Sequence, residues 1–335
     1  VTDLSIIIVN FKTPALLLDC LRTVYIGTGG IEFEVIVVDN DSGDDSEQRV
    51  RSAYPQVRWI QMGYNAGFSR ANNEGIRCSE GTAVLLLNSD TLAKGNAVGD
   101  CYRMLVDSIY VACGVQLLNS DGSPQISGNY FMKGGLNYLL PLPFLGGWVK
   151  SFAGFFGVAR PNVPEASGTV EVDWVNGAFL MVKRSAFLKA GLMDEDFFLY
   201  AEEIEWCGRL RKVGQLCIYG QLHVVHLQGM SANETFGSGD RGYHGLFDRK
   251  GLQIMLSNFV RIRKQFGVGW FLIQLAFYLL EVPIFGVGAL LSGLIPRQRR
   301  KYSWAMFRGY CRNLGYVISR SGTIIRNKAY FYKVL

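Results

Sequence analysis

The chain alternates short, wholly apolar runs with longer amphipathic ones, and clusters of Asn, Asp and Ser fall just past the apolar runs. Residues 4–9 (LSIIIV) carry apolar, largely β-branched side chains without alternation, the pattern of a strand buried on both faces of a parallel sheet. Thr13-Pro14 supplies an N-cap residue and a proline at the first helical position, which predicts a helix to about Tyr25. Residues 35–38 form a second buried strand ending in Asp39-Asn40-Asp41-Ser42-Gly43, and residues 57–61 a short third. Ser69 reads as the cap of a helix to Cys78, and residues 83–87 (AVLLL) form a fourth strand ending in Asn88-Ser89-Asp90. This β-α-β-α order predicts an α/β, Rossmann-like doubly wound sheet, in which ligands bind outside the carboxyl ends of the strands. Both polar clusters lie there.

Further along, residues 96–106 read as a helix, 111–117 as a strand and 119–123 as a turn. Residues 130–168 are Gly- and Pro-rich with many aromatics and no clean period, and read as an acceptor-side loop or lid within a domain spanning 1–248. Regular pattern resumes at 170–182, residues 197–213 look helical, and 217–225 form another strand. From residue 249 on, a basic amphipathic helix (250–265) leads into the apolar run 268–295, making 249–335 a helical C-terminal region for membrane association or oligomerisation.

Composition excludes disorder: 49% of residues are hydrophobic and 19% charged, enough for one large or two ordinary domains with a sizeable core. Seven scattered cysteines without a C-x-x-C pair read as reduced thiols rather than a disulfide frame or a zinc site. The apolar run 4–9 is too short for a secretory signal, so the body is expected in the cytosol. The net charge of +6 is unevenly distributed. No Asp or Glu follows Glu281, so residues 282–335 carry ten basic side chains, against 24 basic and 28 acidic residues before them. A basic end beside a 28-residue apolar run favours an anionic membrane surface over nucleic acid. One span needs about 20 residues, but Glu281, Pro283 and several glycines make the run a poor lipid-exposed one. Two short helices lying in the interface or packed on the body are expected, with Arg297 to Lys301 meeting lipid headgroups. A hydrophobic subunit interface, and hence a homo-oligomer, is the ordinary alternative.

Four constellations carry candidate chemistry. Asp39, just past the second strand, suits a hydrogen bond from a pyrimidine N3–H or a ribose hydroxyl, and equally a turn. Asp90 sits on a tight turn where a divalent cation completed by diphosphate oxygens needs few protein carboxylates, and a plain strand-ending turn fits as well. Residues 194–205 (DEDFFLYAEEIE) hold six carboxylates among aromatics. There Glu205 precedes Arg209 by one helical turn, as in an ordinary ion pair. Glu203 has no such local partner, leaving a general base or a solvated acidic face. His226 ends a strand before a Gly loop and reads as a metal ligand or a buried structural histidine.

In their order along the chain these residues resemble the inverting nucleotide-sugar glycosyltransferases of family 2, with a GT-A fold, in particular the bacterial rhamnosyltransferase-like branch that builds surface polysaccharides. The resemblance runs through Ser5-Ile6-Ile7-Ile8-Val9-Asn10-Phe11, Val37-Val38-Asp39-Asn40-Asp41-Ser42, Asn65-Ala66-Gly67-Phe68-Ser69-Arg70-Ala71-Asn72-Asn73 and Leu85-Leu86-Leu87-Asn88-Ser89-Asp90. It continues through Asn176-Gly177-Ala178, Asp194-Glu195-Asp196-Phe197-Phe198 with Tyr200, and His226 with Gly229 and Ser231. It implies donor nucleotide and sugar contacts at Asn10, Asp39 (the nucleobase), Asn65, Gly67, Asn72, Asn88 and Gly177. It further implies Mg²⁺ or Mn²⁺ at Asp90 with His226, and a catalytic base at Glu203 with Glu202 as the alternative. The D-x-D motif reads Asn88-Ser89-Asp90 here. The Glu-Asp pair of similar enzymes reads Glu202-Glu203, which moves the carboxylate by about 1.5 Å.

The implied reaction moves rhamnose or another hexose from a dTDP- or UDP-sugar to a polyprenyl-diphosphate-linked saccharide, at the cytoplasmic face of the bacterial inner membrane. Two other classes stay open. A nucleotidyltransferase would carry a Gly-rich, basic loop after the first strand, where this chain has Asn10-Phe11-Lys12-Thr13-Pro14. A catalytically silent membrane adapter would tolerate loss of the acids.

Overall fold

In a computed structural model, which describes residues 2–130, 139–156, 162–227, 245–294 and 302–334, the apolar runs become the centre of a mixed sheet. Strands β1 (Leu4–Asn10), β2 (Phe33–Asp39), β3 (Arg58–Gln61) and β4 (Ala83–Asn88) are parallel, in the order β3-β2-β1-β4. They are followed by β5 (Thr91–Ala93), β6 (Ala112–Leu118), β7 (Gly128–Asn129), β8 (Asn162–Val163), β9 (Thr169–Val172), β10 (Trp174–Val175), β11 (Phe179–Lys183) and β12 (Leu216–His226). The complete order is β3-β2-β1-β4-β11-β6-β12-β5, with β9 paired to β12, while β7, β8 and β10 form a small second sheet. Strand β11 is antiparallel to both β4 and β6, which makes the sheet mixed.

The helices are α1 (Pro14–Gly27), α2 (Ser46–Ala53), α3 (Gly67–Cys78), α4 (Ala97–Val106), α5 (Leu145–Phe155), α6 (Arg184–Ala190), α7 (Glu202–Leu210), α8 (Arg249–Ser292) and α9 (Trp304–Ile325). Alternate side chains of β1 feed two cores. Ile6 and Ile8 join Leu17, Leu21 and Val24 of α1 and Val98 and Leu105 of α4, whereas Ile7 joins Ala71 and Ile76 of α3 and Trp206 of α7. Helices cover both faces, which is why the strand reads as unbroken apolar sequence.

One compact unit comprises residues 1–132, 161–198 and 202–235, and a second comprises 133–160, 199–201 and 236–335. Among its described residues, segment 130–168 is not all loop: the part in the second unit holds α5, whose first backbone N–H groups find a buried acceptor. Glu281 Oε1 accepts from Phe144 N at 2.8 Å and Oε2 from Leu145 N at 2.9 Å, and the Glu281 side chain is fully buried. The acid that argued against an apolar span is thus a cap for another helix. The run expected as two short helices is one helix over 268–292, separated from 249–266 by a kink at Gly267 (φ 89°, ψ −176°). Its inward side holds Phe271, Gln274, Tyr278, Glu281, Phe285 and Ala289, and its outward side Leu272, Ile273, Leu279, Leu280, Val287, Leu290 and Leu291. The basic residues 297–301 lie outside the described residues.

Two helix starts differ from the sequence expectation. Helix α3 begins at Gly67, two residues before the expected cap Ser69, which is buried inside the helix. Gly67 adopts φ +71°, and a Cβ there would overlap the Phe198 carbonyl oxygen, which accepts a hydrogen bond from Phe68 N at 2.8 Å. Helix α7 begins only at Glu202, because Tyr200 and Ala201 sit in the left-handed region (φ 72° and 67°) and interrupt the expected helix 197–213.

Gly67→Ala combines a disfavoured left-handed dihedral with a backbone clash. It is expected to cost on the order of 2–3 kcal/mol of stability, read as a lower urea midpoint at unchanged slope.

Candidate active site

The first polar cluster is a closed hydrogen-bond network. Asp39 Oδ1 accepts from Asn10 Nδ2 (2.7 Å) and Ser42 Oγ (2.6 Å), while Oδ2 accepts from Ser42 N (2.9 Å) and Gln61 Nε2 (3.1 Å). Its acceptor positions are filled, so a ligand N–H reaches Asp39 only in exchange for one of these donors. From Asn10 the network continues to the next strand end: Thr13 Oγ1 donates to Asn10 Oδ1 (3.1 Å) and shares a hydrogen with Ser89 Oγ (3.2 Å). Thr13 occupies the N-cap position of α1 as expected, but its hydroxyl is spent on this chain and makes no cap bond. The strand ends that carry Asp39 and Asp90 are therefore tied together through buried side chains.

Asp90 and His226 meet because β5 pairs antiparallel with the end of β12, in the register Thr91↔His226, Leu92↔Val225 and Ala93↔Val224. Leu227 N also donates to Asp90 O at 2.9 Å. The result is His226 Nε2 at 3.4 Å from Asp90 Oδ1, with both atoms buried and neither hydrogen-bonded. A buried carboxylate oxygen facing a buried imidazole nitrogen invites a cation. Among the described residues no cluster of three or more His, Cys, Asp or Glu is arranged to hold a metal. One carboxylate and one imidazole suit Mg²⁺ or Mn²⁺ only if diphosphate oxygens or water complete the shell.

The acidic segment is pinned beside these strand ends by α3. Asn40 Oδ1 accepts from Ala66 N (3.2 Å) and its Nδ2 donates to Gly67 O (3.0 Å), and Asn65 Oδ1 accepts from Gly67 N (3.1 Å). One turn further, Asn73 clamps residue 193 through both amide atoms: Nδ2 donates to Met193 O (2.8 Å) and Oδ1 accepts from Met193 N (3.0 Å). Asn73 Nδ2 also donates to Glu195 Oε1 (3.0 Å), and Arg77 pairs with the same carboxylate. On the opposite side, a Cβ on Gly177 would lie 3.4 Å from Glu203 Cβ and 3.5 Å from its Cγ. Adjacent Ala178 accepts from Asn88 N at 3.1 Å through its carbonyl. Glu203 is therefore linked, through Gly177 and Asn88, to the turn that ends in Asp90.

The two adjacent acids differ in environment. Glu202 is buried, and burial together with the neighbouring charge of Glu203 pushes its carboxyl well above the ordinary 4.5. Glu203 is only partly buried. The inner acid thus keeps its proton to higher pH than a free carboxylic acid does. Glu205 forms the expected ion pair with Arg209 (2.8 Å). Asn72, implied as a donor contact, is buried and donates to Phe68 O (2.9 Å) within its own helix. Gly229 and Ser231 lie outside the described residues. Asn73 lies in the stretch that carries the resemblance but had no role assigned to it, and Gln125, which contacts His226, carries no sequence signal of its own, since its partner is 101 positions away.

The Glu202 proton has a stability consequence. Below 4.5 the folded and unfolded chains both hold it; above 4.5 the unfolded chain releases it while the folded chain retains it, so this residue lowers stability as pH rises. Glu202→Gln, a neutral isostere, is expected to gain stability over the parent progressively as pH is raised from 4.5 toward neutrality. Urea unfolding at a series of pH values measures this, and a pH-independent difference contradicts it.

Residues 5–160 match the profile of Glycosyl transferase family 2. A low-salt glycan biosynthesis hexosyltransferase of Haloferax volcanii is 31% identical over 234 residues, covering 66% of this chain and 67% of that one. An N-acetylglucosaminyl-diphospho-decaprenol L-rhamnosyltransferase of Mycobacterium tuberculosis is 28% identical over 231 residues, covering 63% of this chain and 71% of the other. Among solved structures, a Pyrobaculum calidifontis mannosyltransferase in complex with GDP-Man and Mn²⁺ superposes with a TM-score of 0.50 at 15% identity, covering 97% of this chain and 87% of that one. That likeness extends to the mixed sheet of the GT-A fold. By sequence, this chain belongs to glycosyltransferase family 2.

Proposed function

We propose that the chain is an inverting hexosyltransferase that takes its sugar from a nucleoside-diphosphate donor and gives it to a hydroxyl of a polyprenyl-diphosphate-linked saccharide at the cytoplasmic face of a membrane. Rhamnose is the first sugar to test, followed by other hexoses. The single observation that supports the reading is the run of neighbours joining Glu203 to Asp90 through Gly177, Ala178 and Asn88, with His226 beside Asp90. The mycobacterial relative, whose name specifies a decaprenol diphosphate, supports the choice of acceptor.

In this mechanism the donor base lies at the Asp39 network, where its N3–H takes the place of Gln61, the longest of the four contacts at 3.1 Å. Asp90 and His226 hold a divalent cation, which supplies charge to stabilise the departing diphosphate. Glu203 accepts the proton of the acceptor hydroxyl. The new C–O bond forms on the face opposite the breaking one, so the anomeric configuration inverts. Buried Glu202, whose carboxyl is raised by burial and by the neighbouring charge of Glu203, is the less ready of the two to take up the acceptor's proton as a carboxylate.

The second unit supports membrane association. Arg249–Ser292 is long and apolar enough to cross a membrane by length and composition. Its segment 268–292 presents only apolar side chains outward, with Leu280, Val287 and Leu290 at 51%, 57% and 63% exposure, while Gln274 and Glu281 face inward. A soluble helix does the reverse. Helix α5 adds exposed Trp148, Phe152 and Phe155. We read this as a peripheral, lipid-facing surface.

A panel of dTDP- and UDP-sugars with a polyprenyl-diphosphate-linked acceptor, scored by nucleoside diphosphate release, tests the reaction. One donor is expected to react, EDTA to abolish turnover and Mn²⁺ or Mg²⁺ to restore it. Glu203→Gln is expected to lower kcat by about 10²–10⁴-fold, whereas Glu202→Gln retains most activity. If no donor yields transfer, the chain is an adapter rather than an enzyme; if Glu203→Gln and Asp90→Ala both leave transfer intact, the base and the metal site lie elsewhere.

For the membrane, the double substitution Leu279→Glu and Leu280→Glu is expected to abolish co-sedimentation with phosphatidylglycerol vesicles. Unchanged vesicle binding, with a dimer converted to monomer, would assign the face to a subunit interface instead.

A further inference from the structure

We propose that Gln125 is a positioning residue that fixes the tautomer and the orientation of His226, so that Nε2 is the nitrogen offered to the cation. This rests on the reading above that Asp90 and His226 hold a divalent metal. Gln125 is buried and grips His226 at two points. Its Nε2 donates to the His226 backbone carbonyl at 2.6 Å, and its Oε1 lies 3.1 Å from His226 Nδ1.

The orientation of the Gln125 amide follows from its other partners. Nε2 also faces Asn119 Oδ1 (2.8 Å) and Leu118 O (3.3 Å), so this end is surrounded by three acceptors and must be the NH₂ group. Asn119 is oriented in turn, because its Nδ2 donates to Ser123 Oγ at 2.9 Å. The atom facing the imidazole is then the carbonyl oxygen, an acceptor, and only a hydrogen on Nδ1 makes that contact favourable. With the hydrogen on Nδ1, the lone pair of the neutral ring is on Nε2, 3.4 Å from Asp90 Oδ1.

The support behind Gln125 is rigid. Gln125 N donates to Leu117 O (2.8 Å), and its carbonyl accepts from Gln116 Nε2 (3.0 Å) and Ser127 Oγ (3.2 Å). Residues 119–123 close a turn in which Asn119 N donates to Ser123 O (2.8 Å) and Gly122 N to Asn119 O (3.0 Å). Strand β6 meanwhile holds the register Leu118↔Val225 with β12. Metal-binding histidines commonly donate their other ring N–H to an oxygen that sets ring orientation, and losing that partner lowers metal affinity by about 10–100-fold. The second bond, to the backbone carbonyl of the same histidine, goes beyond tautomer choice: it fixes the main chain from which the ring projects.

Two readouts test this. In ¹⁵N-histidine-labelled protein without metal, in mildly alkaline buffer, the ¹H–¹⁵N spectrum should show His226 with its hydrogen on Nδ1, the resonance being assigned by its loss in His226→Gln. Gln125→Met keeps the side-chain volume but removes both bonds. This variant should lose the Nδ1–H tautomer and bind Mn²⁺ alone about 10–100-fold more weakly in an EPR titration.

An Nε2–H tautomer in the parent protein overturns the inference, even if Gln125→Met fails to fold. So does a Gln125→Met variant that keeps the Nδ1–H tautomer, or one that binds Mn²⁺ within twofold of the parent while His226→Gln does not. If Asp90→Asn and His226→Gln both leave Mn²⁺ binding unchanged, the metal reading falls instead. The effect of Gln125→Met on the tautomer then decides the role of Gln125 by itself.

Discussion

The candidate site depends on one short pairing. Three residues of β5 lie antiparallel against the last three of β12, and that register sets Asp90 beside His226 across a separation of 136 positions in sequence. Neither residue is unusual alone: Asp90 ends a strand in a tight turn, and His226 ends another. Their juxtaposition leaves a buried carboxylate oxygen and a buried imidazole nitrogen 3.4 Å apart, neither with a hydrogen-bond partner. Such an arrangement is unfavourable in a low-dielectric interior unless a proton or a metal cation lies between the two atoms. The fold holds this pair together through main-chain bonds, so the site does not rely on side-chain packing to form.

Around this pair the polar residues are mostly committed to one another. Asp39, Asn10, Thr13 and Ser89 form a continuous buried chain across three strand ends, and Asn40, Asn65 and Asn73 fasten the start of α3 to the loops on either side. These groups cost free energy to bury unless satisfied, and here they satisfy each other. Asp90 Oδ1 and His226 Nε2 are among the buried atoms left without a hydrogen-bond partner, and they face each other. Glu202 beside Glu203 adds a second asymmetry. Burial, with the neighbouring charge of Glu203, raises the inner acid above the ordinary carboxylate range.

The central sheet was legible from β1, β2 and β4, because strands buried on both faces carry unbroken β-branched and aliphatic runs. Both strand-end clusters followed from them. Helix boundaries were less legible where backbone conformation overrides propensity. Gly67 at φ +71° starts α3 before Ser69, and left-handed Tyr200 and Ala201 delay α7 until Glu202. A three-residue strand such as β5 carries no periodicity, so the strand pairing behind the Asp90–His226 contact was invisible to pattern, although the resemblance had already set those two residues together; Gln125 was not legible at all. The sequence pattern also suggested that Glu281 interrupts an apolar span. Its role as a buried cap for α5 depends on a helix 136 positions away.

The account stands on Asp90 and His226 acting together as protein ligands to one cation. Pulsed EPR of Mn²⁺ bound to the protein with a nucleoside diphosphate reads the ligand nuclei directly. The account predicts a ¹⁴N modulation from one imidazole alongside ³¹P coupling, with the ¹⁴N signal lost in His226→Gln. A spectrum with ³¹P coupling but no ¹⁴N modulation, or one in which the nitrogen signal survives His226→Gln, would contradict it.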